Sequence, residues 1–404
     1  MQKSDFQQKE AQITSTTPTQ SLKQANELQD AHNTDPKTPI DTETTSDSDL
    51  TNITFLSFNI FIKPMGYHSN EDDHKNTRLT LFLKQIAKYD IISFQEMHND
   101  FSGRLKRLLS EASTKGLGHS HIGKSRPLLS NYKMCSGLAT VSKFQIVEKG
   151  FYKYKSSCGK DARMFKGVTY TRIKLKTGKF VKIFNTHLQH SPDKEFRTSR
   201  RLLYIARINQ YAELREFIES CLKKSEIFDT PSDIVLICGT MGLNARRCAI
   251  PVSEIDLQSD LEDENAKNWI LENLYEAGSK QIEVFSEYEL MLAALAGYDQ
   301  DRIYDLLFEQ NDQKLSVTFG DCYNKNRRML PREKVLTPKN EQLSEKSIDF
   351  LFELKKSRNG KFDKMVDCEC KLIPFFVDME EDEEVKKKVT QLSSHYGIRL
   401  KFKI

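Results

Sequence analysis

Apolar positions along most of the chain follow two patterns that alternate with each other. Continuous runs of β-branched and aromatic residues, such as "NITFLSFNIF" and "DIISFQE", are typical of buried strands. Between these two runs, "NTRLTLFLKQIAKY" places Leu79, Leu81, Leu83 and Ile86 on one face of a helix. The chain is therefore predicted to alternate strand and helix from about residue 52 onward.

The same patterns continue toward the C-terminus. They predict strands at "SGLATVSK", "GVTYTRIKL", "FVKIFNTHL", "DIVLICG", "SIDFLFEL" and "HYGIRLKFKI", with a hairpin turn at "KTGK". A long amphipathic helix is predicted over residues 199–222, and the positions expected to be buried are Leu202, Ile205, Ile208, Ala212 and Leu214. Strands from both ends of the chain with helices between them predict an α+β fold, a four-layer α/β/β/α sandwich of two packed sheets flanked by helices.

Three regions differ in composition. Residues 1–50 are polar with almost no aliphatic residues, so they cannot bury enough apolar surface to fold, and we expect a disordered tail. Residues 51–404 are expected to form one domain. Within this domain, residues 246–342 are predicted to form, approximately, a helical or irregular insertion. The segment "MEEDEEVKKKV" is predicted to be solvated and charged.

Charge and cysteine content narrow the classes of protein. The 404 residues carry a net charge of +4 with 29% charged residues, a balance that does not indicate nucleic acid as a partner. No export signal and no apolar run of membrane-spanning length occurs in the printed sequence. The eight cysteines are scattered and form no pair of CxxC units, so we expect reduced thiols and a cytoplasmic location.

Four polar residues stand at the ends of predicted strands, where chemistry is usually placed: Asn59, Glu96, His187 and His395. Each has a structural alternative, because Asn59 could satisfy a turn, Glu96 could cap a helix, and a histidine at a strand end is often only hydrogen-bonded. Together, an amide, an acid and two imidazoles predict a phosphoester site that binds Mg²⁺.

Longer motifs carry a resemblance to a known family. "SSCGKDARMFKGVTYTRIKLKTGKFVKIFNTHLQHS" followed by "ARINQYAELREFI" is similar to the bacterial-type sphingomyelinases in order and spacing, and "SFNIF", "FQE", "SGLATVSK" and "IDFLF" also fit. The chain thus resembles the neutral sphingomyelinases of the DNase-I-like endonuclease/exonuclease/phosphatase superfamily, from about Thr54 to Phe402. The part after Ala245 matches poorly.

The resemblance implies roles for particular residues. Glu96 would be the metal-binding carboxylate, Asn59 a partner of metal or phosphate, and His187 a donor to the phosphoryl oxygens. Asp349 would orient the site, and His395 would be the terminal general base.

The resemblance also implies a loop that switches the site on. Asp161 and Lys166 match an Asp and Lys pair on that loop in the animal enzymes. Lys166 also suits phosphate as a point charge, with an ordinary exposed loop lysine as the alternative.

Three positions depart from the family's pattern. Thr240 and Gly242 stand where the family has the Asp and Asn of Gly-Asp-x-Asn, and Ser394 stands where it has the Asp of Ser-Asp-His. A threonine hydroxyl cannot accept a proton from water at neutral pH, so we expect a loss in rate of about 10⁴ or more. Asn244 could replace the missing amide only if the loop bulged back toward the site.

Three functions remain open from the sequence. The first is an impaired or inactive sphingomyelinase-like protein that still binds a sphingolipid or other phosphodiester at a membrane surface. The second is an active Mg²⁺-dependent sphingomyelin phosphodiesterase that produces ceramide and phosphocholine. The third is a phosphodiesterase on another substrate, such as nucleic acid or phosphoinositide.

Overall fold

The computed structural model describes residues 52–404, with gaps at 191–199, 225–232, 247–248, 252–283 (apart from 264, 267 and 268), 298–301, 356–367 and 378–388, and at positions 65, 69, 71, 101 and 128. The predicted polar tail over residues 1–50 and most of "MEEDEEVKKKV" lie outside the described residues. The domain limits 51–404 and 246–342 stay predictions. In the described part, no helix is both long and apolar enough to cross a bilayer.

Within the described residues, the first sheet has six strands. In spatial order they are β15 (Glu369–Ile373), β16 (Gly397–Lys403), β1 (Asn52–Ile62), β2 (Ile91–Met97), β4 (Ala139–Ser142) and β3 (His119–Ile122). β1 and β2 run parallel, and the other neighbours run antiparallel. The strands predicted in this sheet are confirmed. β3 and β15 were missed because these short edge strands mix polar with apolar residues.

The second sheet also has six strands. In spatial order they are β11 (Ile303–Asp305), β14 (Asp349–Leu354), β8 (Ile234–Thr240), β7 (Phe180–His187), β6 (Gly167–Lys174) and β5 (Gln145–Lys153). β7 and β8 run parallel. The "KTGK" hairpin joins β6 to β7, and Gly178 has the φ of 83° that such a turn requires. β5 lies at the edge, and all nine of its residues are half-buried or exposed, so the sequence pattern did not reveal it.

Helices cover the outer face of each sheet, so the predicted four-layer sandwich is confirmed. α1 (Lys75–Gln85) and α2 (Arg104–Thr114) pack their apolar residues against β1 and β2. α3 (Arg200–Lys224) and α4 (Glu287–Ala296) pack against β7, β8 and β14, and α5 (Leu306–Gln310) follows β11. Between the sheets, aliphatic residues of both inner faces form the central core.

Two expectations about the periphery are corrected. The segment 246–342 was expected to be helical or irregular, yet its described part also contains two pairs of antiparallel strands, β9 (Ala249–Pro251) with β10 (Val284–Ser286) and β12 (Cys322–Lys325) with β13 (Arg328–Pro331). Leu202 was expected to be buried, but it is 51% exposed, because the first turn of α3 turns Leu203 and Tyr204 inward instead.

The parallel pairs explain where the polar strand ends meet. β1 and β2 both run toward the rim that carries Asn59 and Glu96, and β7 and β8 run toward His187 and Thr240. β14 is antiparallel to β8, so its first residue, Asp349, lies directly opposite Thr240. The strand ends of both sheets thus face a common rim.

Candidate active site

A chain of hydrogen bonds joins the two sheets at this rim, and it begins on the first sheet. The amide Nδ2 of Asn59 donates to Oε1 of Glu96 at 3.1 Å and to Oγ1 of Thr240 at 3.0 Å. The other amide atom, Oδ1 of Asn59, accepts from the backbone N–H of Phe61 at 3.1 Å, which fixes the orientation of the amide. Asn59 therefore satisfies a turn, as its structural alternative proposed, and also bridges the sheets.

The chain continues on the second sheet. Oγ1 of Thr240 donates to Oδ1 of Asp349 at 2.6 Å, and Oδ2 of Asp349 lies 2.7 Å from Nδ1 of His395. Thr240 thus accepts from one neighbour and donates to the next, which uses the two capacities of a hydroxyl. No carboxylate was expected near Thr240 along its own strand, but Asp349 on the adjacent strand contacts it directly.

His187 and the Asp161–Lys166 pair stand beside this chain. Nε2 of His187 lies 4.0 Å from Oε1 of Glu96, and its Nδ1 is buried without a hydrogen-bond partner. Nζ of Lys166 donates to Oδ2 of Asp161 at 2.7 Å and to the Leu188 carbonyl at 2.6 Å. Lys166 is 3% exposed, so the alternative of an ordinary exposed loop lysine is wrong.

These residues border one cavity of about 760 Å³. The polar groups of its wall come from both sheets and from the loop around Asp161, and they include Glu96, Asp161, Lys166, Thr240, His187 and His395. Phe61 and Phe319 add aromatic surface, and the ring centroid of Phe319 lies 4.9 Å from that of His395. The structure therefore brings the predicted residues together around a space large enough for a small polar ligand.

Burial and neighbouring charges determine the protonation of Glu96 and His187 in the cavity. Burial alone would raise the pKa of Glu96, but the charge of Lys63, the nearby imidazoles and the Asn59 hydrogen bond leave that pKa below its usual value. Burial, followed by the charge of Lys166, holds the pKa of His187 well below its usual value. Glu96 is therefore an anion and His187 a neutral imidazole at neutral pH.

Glu96 adopts an unusual backbone conformation. Its φ is 51°, in the left-handed region, although it lies within β2. The alternative of a helix cap does not fit, since Gly103 holds the N-cap position of α2. A residue with such a φ at the wall of a cavity is typical of functional positions.

Gly242 and Asn244 both lie in the loop that follows β8. Gly242 has a φ of 76°, and a Cβ there would lie 1.9 Å from the carbonyl oxygen of Gln189. Oδ1 of Asn244 accepts from the backbone N–H groups of Arg246 and Ser347, so the proposed replacement of the amide by Asn244 is wrong. Backbone packing in the loop after β8 therefore leaves no room for a larger side chain at Gly242.

The serine that acts here is Ser393 and not Ser394. Oγ of Ser394 is buried and makes no hydrogen bond, either to the His395 imidazole or to any other group of the described residues. Oγ of Ser393 donates to the Asn59 carbonyl at 2.6 Å and accepts from the His395 backbone N–H at 3.1 Å. The sequence offered no signal that would separate two adjacent serines.

Arg78 stabilises the rim through hydrogen bonds to backbone carbonyls, and it was not predicted from the sequence. This fully buried side chain on α1 donates to the carbonyls of Ile60, Phe61, Asp73 and Leu392 at 2.7 to 2.9 Å. It thereby ties the end of β1 to the segment that leads into His395. An arginine inside an apolar helical stripe was the available signal.

The donor set of the cavity fits a hard divalent cation. Glu96 presents an ionised carboxylate to the cavity, and Mg²⁺ is often bound by one or two carboxylates with water completing its octahedron. Asn59 was predicted as a second metal ligand, and this stays a prediction. Its Oδ1 accepts from the Phe61 N–H at 3.1 Å and keeps a second lone pair. Glu96 is the charged candidate ligand, and Nδ2 of Asn59 orients its carboxylate.

Comparison with known families supports this assignment of fold and class. Residues 56–239 match the endonuclease/exonuclease/phosphatase family. This part of the chain, a little under half of its length, is therefore similar to that family.

The sequence relatives are more specific. A sphingomyelinase of Dictyostelium discoideum is 29% identical over 206 residues, which is 46% of this chain and 43% of that protein. A sphingomyelinase C of Bacillus cereus is 28% identical over 214 residues, 51% and 61% of the two chains, and a phospholipase C of Staphylococcus aureus is 29% identical over 209 residues, 49% and 59%. The chain spans about half the length of the curated relatives it matches.

Solved structures agree on the fold. SmcL aligns with a TM-score of 0.54 at 18% identity, covering 87% of this chain and 99% of SmcL. Beta toxin from Staphylococcus aureus aligns with a TM-score of 0.52 at 20% identity over 86% and 99% of the chains, and a variant of it solved with bound magnesium ions aligns at 0.51 and 20% over 87% and 99%. At these identities the likeness extends to the fold alone.

Proposed function

We propose that the chain is a sphingomyelinase-like protein that binds a phosphodiester headgroup together with Mg²⁺ and hydrolyses it slowly or not at all. The observation that carries the proposal is the hydrogen-bonded chain from Glu96 through Asn59, Thr240 and Asp349 to His395. It keeps a metal-binding acid at one end and an oriented imidazole at the other. Its middle member is a hydroxyl where the resembling family has a carboxylate.

Each residue of the hydrogen-bonded chain has a separate proposed role in binding the ligand. Glu96 holds the ion, which when bound would neutralise phosphoryl charge and activate water. Asn59 fixes the direction of the Glu96 carboxylate. Asp349 holds Nδ1 of His395, so that Nε2 of the imidazole is left to exchange a proton with the ligand. His187, neutral and beside Glu96, can donate a hydrogen bond to a phosphoryl oxygen.

Thr240 and Gly242 supply the reason for slow turnover. A hydroxyl does not take a proton from water at neutral pH, and general-base catalysis is typically worth about 10² to 10⁴ in rate. An amide donor aimed at the transition state is worth about 10² to 10³, and Gly242 has none. The expected combined deficit is about 10⁴.

The test is release of phosphocholine from sphingomyelin vesicles in the presence of Mg²⁺. We expect the protein to turn over at least about 10⁴-fold more slowly than an intact sphingomyelinase. We also expect Mg²⁺ to promote vesicle binding, and Glu96→Gln to abolish that promotion because the anionic ligand is lost. Glu111→Gln, a change of a partly buried acid on α2, is the matched control.

Each outcome decides between the readings. Turnover at an ordinary rate that depends on Glu96 would mean that the altered constellation is active, as the second possibility holds. Binding of vesicles that ignores both Mg²⁺ and Glu96→Gln would remove Glu96 as a metal ligand.

One observation favours a more anionic substrate as a second candidate. The cavity wall carries Lys63, Lys133, Lys160 and Arg163 in addition to Lys166. Among the described residues its carboxylates are Glu96, Asp161 and Glu341, and two of these are paired, Asp161 with Lys166 at 2.7 Å and Glu341 with Lys346 at 3.4 Å.

A wall with this excess of cations suits a phosphoinositide headgroup better than a zwitterion. Vesicles with phosphoinositide in place of sphingomyelin test this candidate in the same assay. Stronger binding that weakens with salt would support it, and equal binding to both vesicles would count against it. Either candidate places the ligand in a membrane, and we propose with it that the protein acts in the cytoplasm at a membrane surface.

A further inference from the structure

Another histidine borders the candidate active site, and the proposed function gives it no role. His190 belongs to the segment that follows β7, and its half-buried side chain borders the same cavity as Glu96 and Lys166. In the described part of the chain, the hydrogen bonds of His190 are made by its backbone and not by its ring. The imidazole can therefore contact a ligand in the cavity.

The position of His190 is linked to the loop after β8. A Cβ at Gly242 would lie 1.9 Å from the carbonyl oxygen of Gln189 and 3.3 Å from Cα of His190. The main chain of residues 189–190 thus fills the space in which a side chain at position 242 would begin. The family resemblance implies an asparagine at this position. Here the segment that fills the space brings the imidazole of His190 to the cavity instead.

Backbone contacts fix the place of His190. Its N–H donates to Oδ2 of Asp161 at 2.8 Å, and its carbonyl accepts from Nε2 of Gln189 at 3.1 Å. The same oxygen of Asp161 accepts from Nζ of Lys166 at 2.7 Å. The backbone N–H of Gln189 donates to Oε1 of Gln210 on α3 at 2.7 Å. Because these bonds hold the segment without the His190 ring, the imidazole is available for binding.

The charges around His190 suit an anionic ligand. Burial, followed by the charges of Lys346 and Lys166, holds the pKa of His190 well below its usual value. The imidazole is therefore neutral at neutral pH and has one N–H to donate. It is a weak base, and the surrounding cations disfavour a divalent metal ion beside it. An anionic oxygen is the acceptor that this N–H favours.

We propose that His190 is a phosphoryl-binding residue, whose imidazole N–H donates to an oxygen of a phosphate group in the cavity. The inference rests on the proposed function, because that function brings a phosphodiester to this place. A free phosphate presents the same oxygens as the phosphodiester of a headgroup. The role of His190 is in binding, so the missing general base at Thr240 still limits turnover.

¹⁵N NMR of the imidazole rings in the full-length protein tests the contact directly, in a buffer that contains a chelator and no Mg²⁺. The disappearance of one ring signal in His190→Phe assigns that signal to His190. We expect inorganic phosphate and glycerophosphocholine, a soluble phosphodiester, each to shift the signal. A shift with only one of the two probes would support the contact and identify the kind of ligand. No shift with either probe would overturn the proposal.

Variants separate binding from packing, with the affinity for each probe measured by calorimetric titration. His190→Phe keeps an aromatic ring but has no N–H, so we expect binding to weaken by at least about 10-fold, the loss of one hydrogen bond to a charged group. His190→Gln and His190→Asn restore a donor near one or the other ring nitrogen, and at least one of them should bind more tightly than His190→Phe. His119→Phe, at an exposed position of β3, is the control and should bind as the wild-type protein does.

These measurements require neither turnover nor Mg²⁺. A failed vesicle assay therefore counts against the proposed function and leaves the role of His190 to be decided by the two probes. Equal affinity of the wild-type protein and of folded His190→Phe would mean that the ring only fills space, and would overturn the proposal.

Discussion

The two strand ends that meet at the cavity are built in opposite ways. On the first sheet, the end of β2 holds Glu96 in a left-handed backbone conformation and presents its carboxylate to open space. On the second sheet, the end of β8 also leaves regular strand geometry, at Gly242, but there the backbone is pressed against the Gln189 carbonyl. At Glu96 the irregular backbone directs a side chain toward the cavity, whereas at Gly242 the irregular backbone leaves no room for a side chain.

This difference shows how the two positions would respond to substitution. At Thr240 a substitution changes the chemistry of the site, because its hydroxyl lies within hydrogen-bond distance of Asp349 and Asn59. At Gly242 a substitution is limited sterically, because the space that a larger side chain needs is filled by main chain. The first position can accept new chemistry by substitution, whereas the second requires the loop to move.

The largest expected effect comes from removing the side chain that stabilises the strand end of the first sheet. Arg78→Met keeps the apolar stem but leaves the carbonyls of Ile60, Phe61 and Leu392 without their donor, so we expect the free energy of unfolding to fall by about 3 to 5 kcal/mol. Urea unfolding measures the loss. The control is Arg107→Met on the exposed face of α2, expected within about 0.5 kcal/mol of the wild-type protein. Equal losses would mean that Arg78 does not anchor the rim.

The second effect tests the closed loop. Gly242→Asn should lower the free energy of unfolding by about 3 kcal/mol, because its Cβ meets a backbone carbonyl that has no room to retreat. Gly178→Asn is the matched control, since Gly178 has a similar positive φ of 83° but nothing within 4 Å of a Cβ. We expect about 1 kcal/mol or less there. A comparable cost at both positions would show that φ, and not the Gln189 carbonyl, sets the penalty.

A third effect comes from the contact between the sheets, which belongs to neither rim. Burial, with the charge of Lys149, lowers the pKa of His121 to about 4, and its Nδ1 lies 3.0 Å from Oγ1 of Thr171. The unfolded chain binds the proton near pH 6.5, but the folded protein resists it until about pH 4. Stability is therefore full above pH 6.5 and falls between pH 6.5 and 4, by about 3 kcal/mol at most.

Thermal unfolding across this pH range measures the contribution of His121. His121→Gln should flatten the decline between pH 6.5 and 4, whereas His119→Gln, at an exposed position of the same strand, should leave it unchanged. A decline of the same size in both variants would assign it to other buried histidines.

The smallest effect concerns Thr240, whose hydroxyl links the two sheets through hydrogen bonds. Thr240→Asp would set a second carboxylate within hydrogen-bond distance of Asp349, and we expect a loss of about 2 kcal/mol at pH 8 in the absence of divalent ions. The loss should shrink at pH 5, where the pair shares a proton, and in saturating Mg²⁺. Thr240→Asn, which adds no charge, is the control. If the Asp and Asn variants differ neither with pH nor with Mg²⁺, like charges do not meet at this position.

Much of the architecture was predictable, because long apolar runs such as those of β1, β2 and β8 permit few other structures. The positions of Asn59 and Glu96 at one edge followed from the parallel pair β1 and β2, and that of His187 from the parallel pair β7 and β8. His395 lies at the same edge because it precedes β16, which is antiparallel to β1. Edge strands such as β3 and β5 were hidden, because half-exposed strands share the composition of loops.

The details of the site were not predictable for a different reason. Whether Ser393 or Ser394 reaches His395, and whether Asn59 offers its oxygen or its nitrogen, depends on a rotation of one residue or one amide. The Asp349–Thr240 contact depends on the register of two strands separated by more than 100 positions in the chain. Periodicity carries no information on such choices.

The left-handed backbone at Glu96 has a practical consequence for anyone who engineers this protein. A non-glycine residue in that conformation costs of order 1 kcal/mol, and glycine would relieve it. Directed evolution that selects only for heat resistance should therefore enrich Glu96→Gly and discard the carboxylate in the process. A library intended to retain metal affinity has to keep this codon invariant.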